Sequence, residues 1–295
     1  VTTLRTAINP LPWFLGPRAE WLLDPETLDD ALGVVTEAGF GAVSIEIPAE
    51  FDVEQYCSTL AAGGVAPAPG YFGADFHDLA ARSALIEAAS RHARIHRELG
   101  VSQTFIASNL SPERIASPAV GAAPDPARTA TIAETVALVV HAMGEEGVTA
   151  SLHQHVSSWI ETEQELDEVL AAVPELGFGP DTGHLFWAGM DPVAVMTRHR
   201  DRITGVHIKD ASSSAMARAK AESLDYFGAT HIDLWRELGE GDVALAEALA
   251  VVPEEFGGWF VVEVDVPSLP TAEESTLASG AWVRRWHDRV KAERS

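Results

Sequence analysis

Residues 149–181 read TASLHQHVSSWIETEQELDEVLAAVPELGFGPD. The stretch opens on a short apolar run, Thr149–His155. It passes through an amphipathic segment of helical length, Glu161–Ala172, and closes on a second short run, Gly177–Asp181. Strand, helix and strand in that order make a right-handed βαβ unit with parallel strands.

The same alternation runs outward in both directions. Further strand candidates are Arg5–Asn9, Ala42–Pro48, Ala66–Phe72, Gln103–Ser108, Gly205–Lys209 and Trp259–Asp265. Several are almost continuously apolar, as parallel strands buried on both faces should be. Helix candidates are Pro25–Ala38, Asp78–Leu99, Pro126–Gly147, Asp191–Arg198, Ala244–Val251 and Thr271–Lys291. Asp24-Pro25, Ser111-Pro112 and Asp191-Pro192 read as helix starts. Gly39, Gly100 and Gly147 read as C-terminal caps. Eight such units predict an α/β fold, a single (β/α)8 TIM barrel over residues 1–295. An open doubly wound sheet usually carries a Gly-rich turn after its first strand, and here that turn is Asn9-Pro10-Leu11-Pro12-Trp13. Ala211–Trp235 is long for a βα connection, so an active-site insertion over the barrel mouth is expected at 211–235.

Composition narrows the partners. The chain has 295 residues, 46% of them hydrophobic, and 44 acidic against 20 basic residues give a net charge of -24. Such a field repels phosphate backbones, so nucleic acid is not an expected partner. No apolar run reaches the ~20 residues of a membrane span, and no signal peptide is visible. The expectation is a cytoplasmic protein with no membrane partner. Cys57 is the only cysteine, which rules out an intramolecular disulfide or a Cys-based zinc site. It is expected to be a buried or half-buried small residue.

Catalytic groups of a barrel come from the C-terminal ends of its strands. Those ends carry Glu46, His153 and His155, Asp181 followed by His184, His207 and Lys209, and Glu263 and Asp265. Polar groups in apolar strands need partners, since burying them alone costs about a few kcal/mol. Metal ligation supplies partners, and so does a salt-bridge network. A mixed imidazole–carboxylate ring suits a borderline or hard divalent cation. His153 and His155, and likewise His207 and Lys209, are two apart and share a strand face. His77, His92, His96, His141, His199 and His287 fall in helical or loop contexts and read as solvated or helix-end residues. Trp13 and Trp187 follow strands and could line the mouth.

An ordered set of segments then resembles a known family. The set comprises Ile8-Asn9-Pro10, Leu152-His153-Gln154-His155-Val156, Trp159-Ile160-Glu161-Thr162, Pro180-Asp181-Thr182-Gly183-His184-Leu185 and Asp191-Pro192-Val193-Ala194. It continues with Asp201-Arg202-Ile203, Val206-His207-Ile208-Lys209-Asp210, Leu238-Gly239-Glu240-Gly241-Asp242-Val243 and Gly258-Trp259-Phe260-Val261-Val262-Glu263-Val264-Asp265. The chain resembles the xylose-isomerase-like, or endonuclease-four-like, barrel superfamily, and within it the inosose (2-keto-myo-inositol) dehydratases. It also resembles catalytic subunits of bacterial 3-keto-C-glycoside deglycosidases, which work with a small second subunit. Ser157-Ser158 stands where the dehydratase-like pattern often has Gly-Thr.

The resemblance implies one divalent ion, with Mn2+ or Co2+ favoured and Mg2+ or Zn2+ also compatible. Its ligands would be Asp181, His207 and Glu263. The fourth would be His153, where many relatives have a glutamate, with His155 as a substitute. The implied substrate is a small polyhydroxylated ketone, a keto-cyclitol or keto-sugar, contacted by Asn9, Trp13, Trp187 and Glu240. The implied reaction is α-deprotonation followed by β-elimination, that of a metal-dependent lyase. His155 is the first candidate for base or acid and His184 the next. Lys209 would polarise the ketone or protonate the leaving group, and Glu46 is a second carboxylate for proton transfer. A metal-dependent isomerase or epimerase is the alternative, since it uses the same enolate and ejects no group. A DNA-repair role disagrees with the charge, and a simple binding module does not require so many ionisable strand ends. A homo-oligomer is compatible with these features.

Overall fold

Strands β1 (Arg5–Ile8), β2 (Ala42–Ser44) and β3 (Ala66–Ala68) lie side by side and parallel, and β11 (Trp259–Val262) and β8 (Gly205–Ile208) continue the row beyond β1. The structure, a computed structural model, describes residues 4–15 and 22–293. A second parallel row runs β4 (Tyr71–Ala74), β5 (Gln103–Ser108), β6 (Thr149–Leu152) and β7 (Gly177–Phe178). The rows join at both edges. Parallel bridges Phe178↔Ile203 and Asp181↔His207 tie β7 to β8. On the other side β3 and β4 are two pieces of one stave, and the Gly70 carbonyl between them accepts the Phe105 N–H at 3.0 Å. The result is the closed eight-staved TIM barrel.

The interruption between β3 and β4 has a local cause. Pro67 and Pro69 have no N–H to give a ladder. The Gly70 N–H instead donates to His96 Nε2 at 3.0 Å, and a Cβ at Gly70 would lie 2.9 Å from the Ile45 carbonyl. His96 is therefore a buried acceptor, not a solvated helix residue, and the neighbouring His92 ring stacks on it at 4.2 Å.

Inside the barrel, small Ala7, Ala42 and Ala68 face large Phe105 and Trp259. Phe105 fits because Gly179 and Gly205 lie opposite, where a Cβ would approach its ring to 2.7 Å. Its ring lies 4.1 Å from that of His207 and 6.3 Å from that of His153, and so forms the floor of the polar cluster above.

Expected helices form with their expected caps. Asp24 Oδ1 accepts the Thr27 N–H at the start of helix Pro25–Glu37, and Thr162 with Glu165 makes a capping box before helix Glu163–Ala172. Gly39, Gly100 and Gly147 all have left-handed φ. Helix Val53–Ala62, between β2 and β3, was not expected, and it carries Cys57 on its exposed side, contrary to the buried reading. The segment after β8 opens with β9 (Asp210–Ala211), which pairs antiparallel with β10 (Trp235–Arg236), and helices Ser213–Glu222 and Tyr226–Thr230 lie between them. Among the described residues no helix is long and apolar enough to cross a membrane.

Candidate active site

The polar residues converge where the staves end. His153 and His155 leave β6, Asp181 follows β7, His207 lies on β8 with Lys209 just after it, and Glu263 and Asp265 follow β11. His153, Asp181, His184, His207, Lys209 and Glu263 are all buried, and His155 is half-buried.

Lys209 ties the carboxylates together. Its Nζ donates to Glu263 Oε1 at 2.7 Å and to Asp265 Oδ1 at 2.8 Å, and lies 3.5 Å from Asp181 Oδ2. Asn9 Nδ2 donates to Glu263 Oε2 at 2.7 Å. Three buried carboxylates thus share one ammonium. Burial pushes Asp181 up to about 7 and Asp265 up to about 6, against the pull of Lys209. Burial works on Glu263 in the same sense, but Lys209, His207 and His153 outweigh it and hold that carboxyl well below the usual range. Burial opposes the charge on Lys209 too, and its three carboxylate neighbours overcome it. Burial holds His155 and His207 down to about 4, and His153 and His184 well below their ordinary value. The imidazoles are therefore neutral, the form that ligates a metal.

Several buried atoms lack a hydrogen-bond partner: both ring nitrogens of His153, His207 Nδ1 and Asp181 Oδ2. One potential ligand atom from each of His153, Asp181 and His207 lies within 4.8 Å of the others, and Glu263 Oε2 is 3.5 Å from His207 Nδ1. Asp181 serves two purposes, because its Oδ1 caps helix Thr182–Trp187 by accepting the His184 N–H at 2.7 Å, while Oδ2 makes no hydrogen bond and lies 3.5 Å from Lys209 Nζ. Two neutral imidazoles, two carboxylates and surplus negative charge fit a divalent cation. His153, His155 and His184 form a second convergent trio. It has no carboxylate, and Lys209 Nζ stands 3.3 Å from His184 Nε2, so a cation there would face an ammonium.

The Val156 backbone meets both remaining imidazoles, its carbonyl at His155 and its N–H at His184. The Val156 carbonyl can only accept, and it lies 2.6 Å from His155 Nδ1, so that nitrogen carries the hydrogen and Nε2 is bare. The Val156 N–H points at His184 Nδ1 at 3.3 Å and the Lys209 ammonium stands 3.3 Å from His184 Nε2, so both nitrogens of that neutral ring face a donor.

Aromatic side chains close the space above. Tyr226, from the segment between β9 and β10, stacks on Trp187 at 5.3 Å with planes 22° apart, and its ring lies 5.9 Å from that of His155. Trp187 also meets Trp235 edge-on. Burial raises the Tyr71 and Tyr226 phenols, and both feel Glu263, Lys209 and Asp265, which places them beside the cluster. Sequence reasoning gave no site role to Tyr71, counted Asp265 among the strand-end groups without a specific role, and reached Tyr226 and Trp235 only as part of the insertion expected at 211–235.

Of the expected substrate contacts, Asn9 and Trp187 join the cluster and two do not. Trp13 Nε1 donates to Thr276 Oγ1 at 3.3 Å, which turns the indole toward the C-terminal helix. Glu240 is exposed in a loop whose backbone is held by Asp210 through the Gly239 and Gly241 N–H groups. Glu46 is half-buried after β2, and burial with the nearby Glu263 pushes it up to about 8.

Comparison with known proteins agrees with this architecture. The family model described as xylose isomerase-like TIM barrel matches residues 28–286. The chain belongs to that family. The resemblance read from the sequence therefore holds at the family level. Among curated family relatives, inosose dehydratase of Geobacillus kaustophilus is 23% identical over 273 residues, 90% of this chain and 88% of that one. The rhizopine catabolism protein MocC of Rhizobium meliloti is 32% identical over 125 residues, which span 42% of this chain and only 38% of MocC. Among solved structures, the IOLI protein with a bound zinc atom superposes with a TM-score of 0.71 at 15% identity, covering 97% of this chain and 99% of that one. An L-ribulose 3-epimerase gives 0.70 at 16%, covering 99% and 97%. At such identities the superpositions speak for the fold.

Proposed function

We propose that this chain is a divalent-metal-dependent lyase that removes a proton α to the ketone of a keto-cyclitol or keto-sugar and eliminates the group β to it. The carrying observation is the set of buried atoms without a hydrogen bond on His153, His207 and Asp181, beside His155 with its Nδ1 on the Val156 carbonyl. The curated inosose dehydratase relatives support the dehydratase reading.

His153, Asp181, His207 and Glu263 would hold the ion. When bound it supplies Lewis acidity toward the substrate carbonyl and so favours loss of the α-proton. His155 Nε2, with its lone pair free, takes that proton. The C–H electron pair becomes the new C=C bond, and the bond to the β-group breaks with its pair on the departing oxygen. His184, beside the Lys209 ammonium, gives that oxygen a proton, and water leaves. Glu46, held protonated near neutral pH, is a second donor at the same mouth. Lys209 keeps its ammonium on Glu263 and Asp265, so its role is to hold the ligand carboxylates ionised and oriented. Tyr226, Trp187 and Trp235 lid the site and exclude water.

Lys209 is the only lysine or arginine paired with these carboxylates among the described residues, and it is already engaged. An uncharged polyol therefore suits the site better than a sugar phosphate. Incubating Mn2+-loaded protein with inosose and following enone absorbance and loss of water by mass tests the reading. Conversion without mass change would make the protein an isomerase or epimerase, and turnover undiminished after removal of all metal would overturn the metal-dependent reading.

A further inference from the structure

Glu161 lies fully buried behind the His155–His184 pair. Its Oε1 accepts the Ser157 N–H at 2.7 Å and the Ala119 N–H at 2.9 Å, and its Oε2 accepts the Gly121 N–H at 2.7 Å. All three donor residues have left-handed backbone, with φ of 70° at Ser157, 60° at Ala119 and 62° at Gly121. Two of them are not glycine, and side chains tolerate that region only where the surroundings insist on it. The donors come from two separate mouth segments, one following helix Pro112–Ile115 and the other following the His153–His155 run. One carboxylate therefore gathers three left-handed positions from two loops, two of them non-glycine.

The consequence for catalysis runs through a single peptide unit. A peptide is planar and trans, so its C=O and N–H point in opposite directions. The unit joining Val156 to Ser157 has its N–H on Glu161 and its C=O on His155 Nδ1. Ser157 could reach an ordinary negative φ by rotation of that unit. The same rotation would carry the Val156 carbonyl away from His155, and Nδ1 would lose the acceptor that keeps its hydrogen there.

We propose that Glu161 is a positioning residue for His155. By holding Ser157 left-handed, it keeps the Val156 carbonyl on His155 Nδ1 and leaves His155 Nε2 free to take a proton. The inference rests on the assignment of His155 as base in the proposed lyase reaction.

The test compares wild type, Glu161→Gln, Ser157→Gly and the double variant. Glycine adopts left-handed φ without penalty, so Ser157→Gly should relieve what Glu161 enforces. With inosose and Mn2+, Glu161→Gln should lower kcat by about 10–100-fold, the usual size of an outer-shell effect. KM should stay within roughly threefold and bound metal should equal wild type, the pattern of a loss felt only in the transition state. The double variant should recover a substantial part of kcat. A second readout needs no substrate. Imidazole 15N spectra of the metal-free protein should show His155 as the Nδ1–H tautomer in wild type and a mixture in Glu161→Gln, moving back toward Nδ1–H in the double variant.

Wild-type kcat and tautomers in Glu161→Gln would overturn the proposal. So would a loss of kcat and melting temperature that Ser157→Gly does not relieve and that leaves the tautomers unchanged, since Glu161 would then be structural only. A wild type inactive on inosose would refute the inosose-dehydratase reading, and the spectra would still decide for or against the Glu161 clamp.

Discussion

The imidazole rings of His155 and His184 stand 3.8 Å apart, centroid to centroid, with planes inclined by 38°. Neighbours of such proximity, one with a bare nitrogen and the other beside the Lys209 ammonium, can take a proton and give one on the same side of a substrate. His155→Ala is expected to lower kcat by about 10²–10⁴, the range of a lost general base, with bound metal unchanged by elemental analysis. If His155→Ala loses the metal while His153→Ala keeps it, ligand and base are interchanged.

His207→Ala should behave in the opposite way. It removes a buried imidazole whose Nδ1 faces Asp181 and Glu263, so metal and activity should disappear together. Chelation should abolish wild-type turnover, and Mn2+ or Co2+ should restore it. A His207→Ala protein with full metal content would refute the ligand assignment.

Lys209→Met should expose the charge imbalance. It leaves Asp181, Glu263 and Asp265 without their ammonium, and uncompensated buried charge costs roughly 3–5 kcal/mol. The chelated variant should unfold at distinctly lower urea concentration than chelated wild type, and bound metal should narrow the gap. An equal gap with and without metal would mean that the ion does not share these carboxylates.

Tyr226 is the point where the segment between β9 and β10 meets the site. Tyr226→Ala removes its stack on Trp187 and should raise KM by about three- to tenfold, the scale of one lost aromatic contact, while the fold persists by circular dichroism. Unchanged kinetics in this variant would count against a lid.

Acid should destabilise the protein partly through His96. Burial holds this ring down to about 4 in the folded chain, whereas an unfolded histidine titrates near ~6.5. Below that value the unfolded state binds a proton that the folded state refuses, so stability is full above pH ~6.5 and is lost as pH falls toward ~4. The loss from this ring is at most about 3 kcal/mol. Glutamine can still accept the Gly70 N–H and does not titrate, so His96→Gln should flatten the pH dependence of urea unfolding between pH ~6.5 and ~4. Parallel pH profiles for variant and wild type would show that His96 does not contribute.

Much of the fold and half of the site were already legible in local sequence. The strand–helix period, Asp24-Pro25 and the glycines at 39, 100 and 147 report backbone preferences that neighbours in sequence decide. The same holds for which strands end in His153, Asp181, His207 and Glu263, because a polar residue closing an apolar run marks the rim of a barrel. What each side chain does there was not legible. Lys209 reads alone as a polariser of ketones, yet folding puts it 2.7 Å from Glu263 and 2.8 Å from Asp265, residues more than fifty positions away, and their charges claim it. Trp13 and Glu240 have plausible addresses in sequence, but their direction depends on the C-terminal helix and on Asp210. The tautomer of His155 depends on one peptide whose orientation is held by Glu161 and by a left-handed serine. Local sequence determines which groups arrive at the mouth, since periodicity and capping act over a turn or a strand. Their partners, charges and proton positions belong to the tertiary structure, because electrostatics and hydrogen bonding in a buried site act across space between residues distant in the chain.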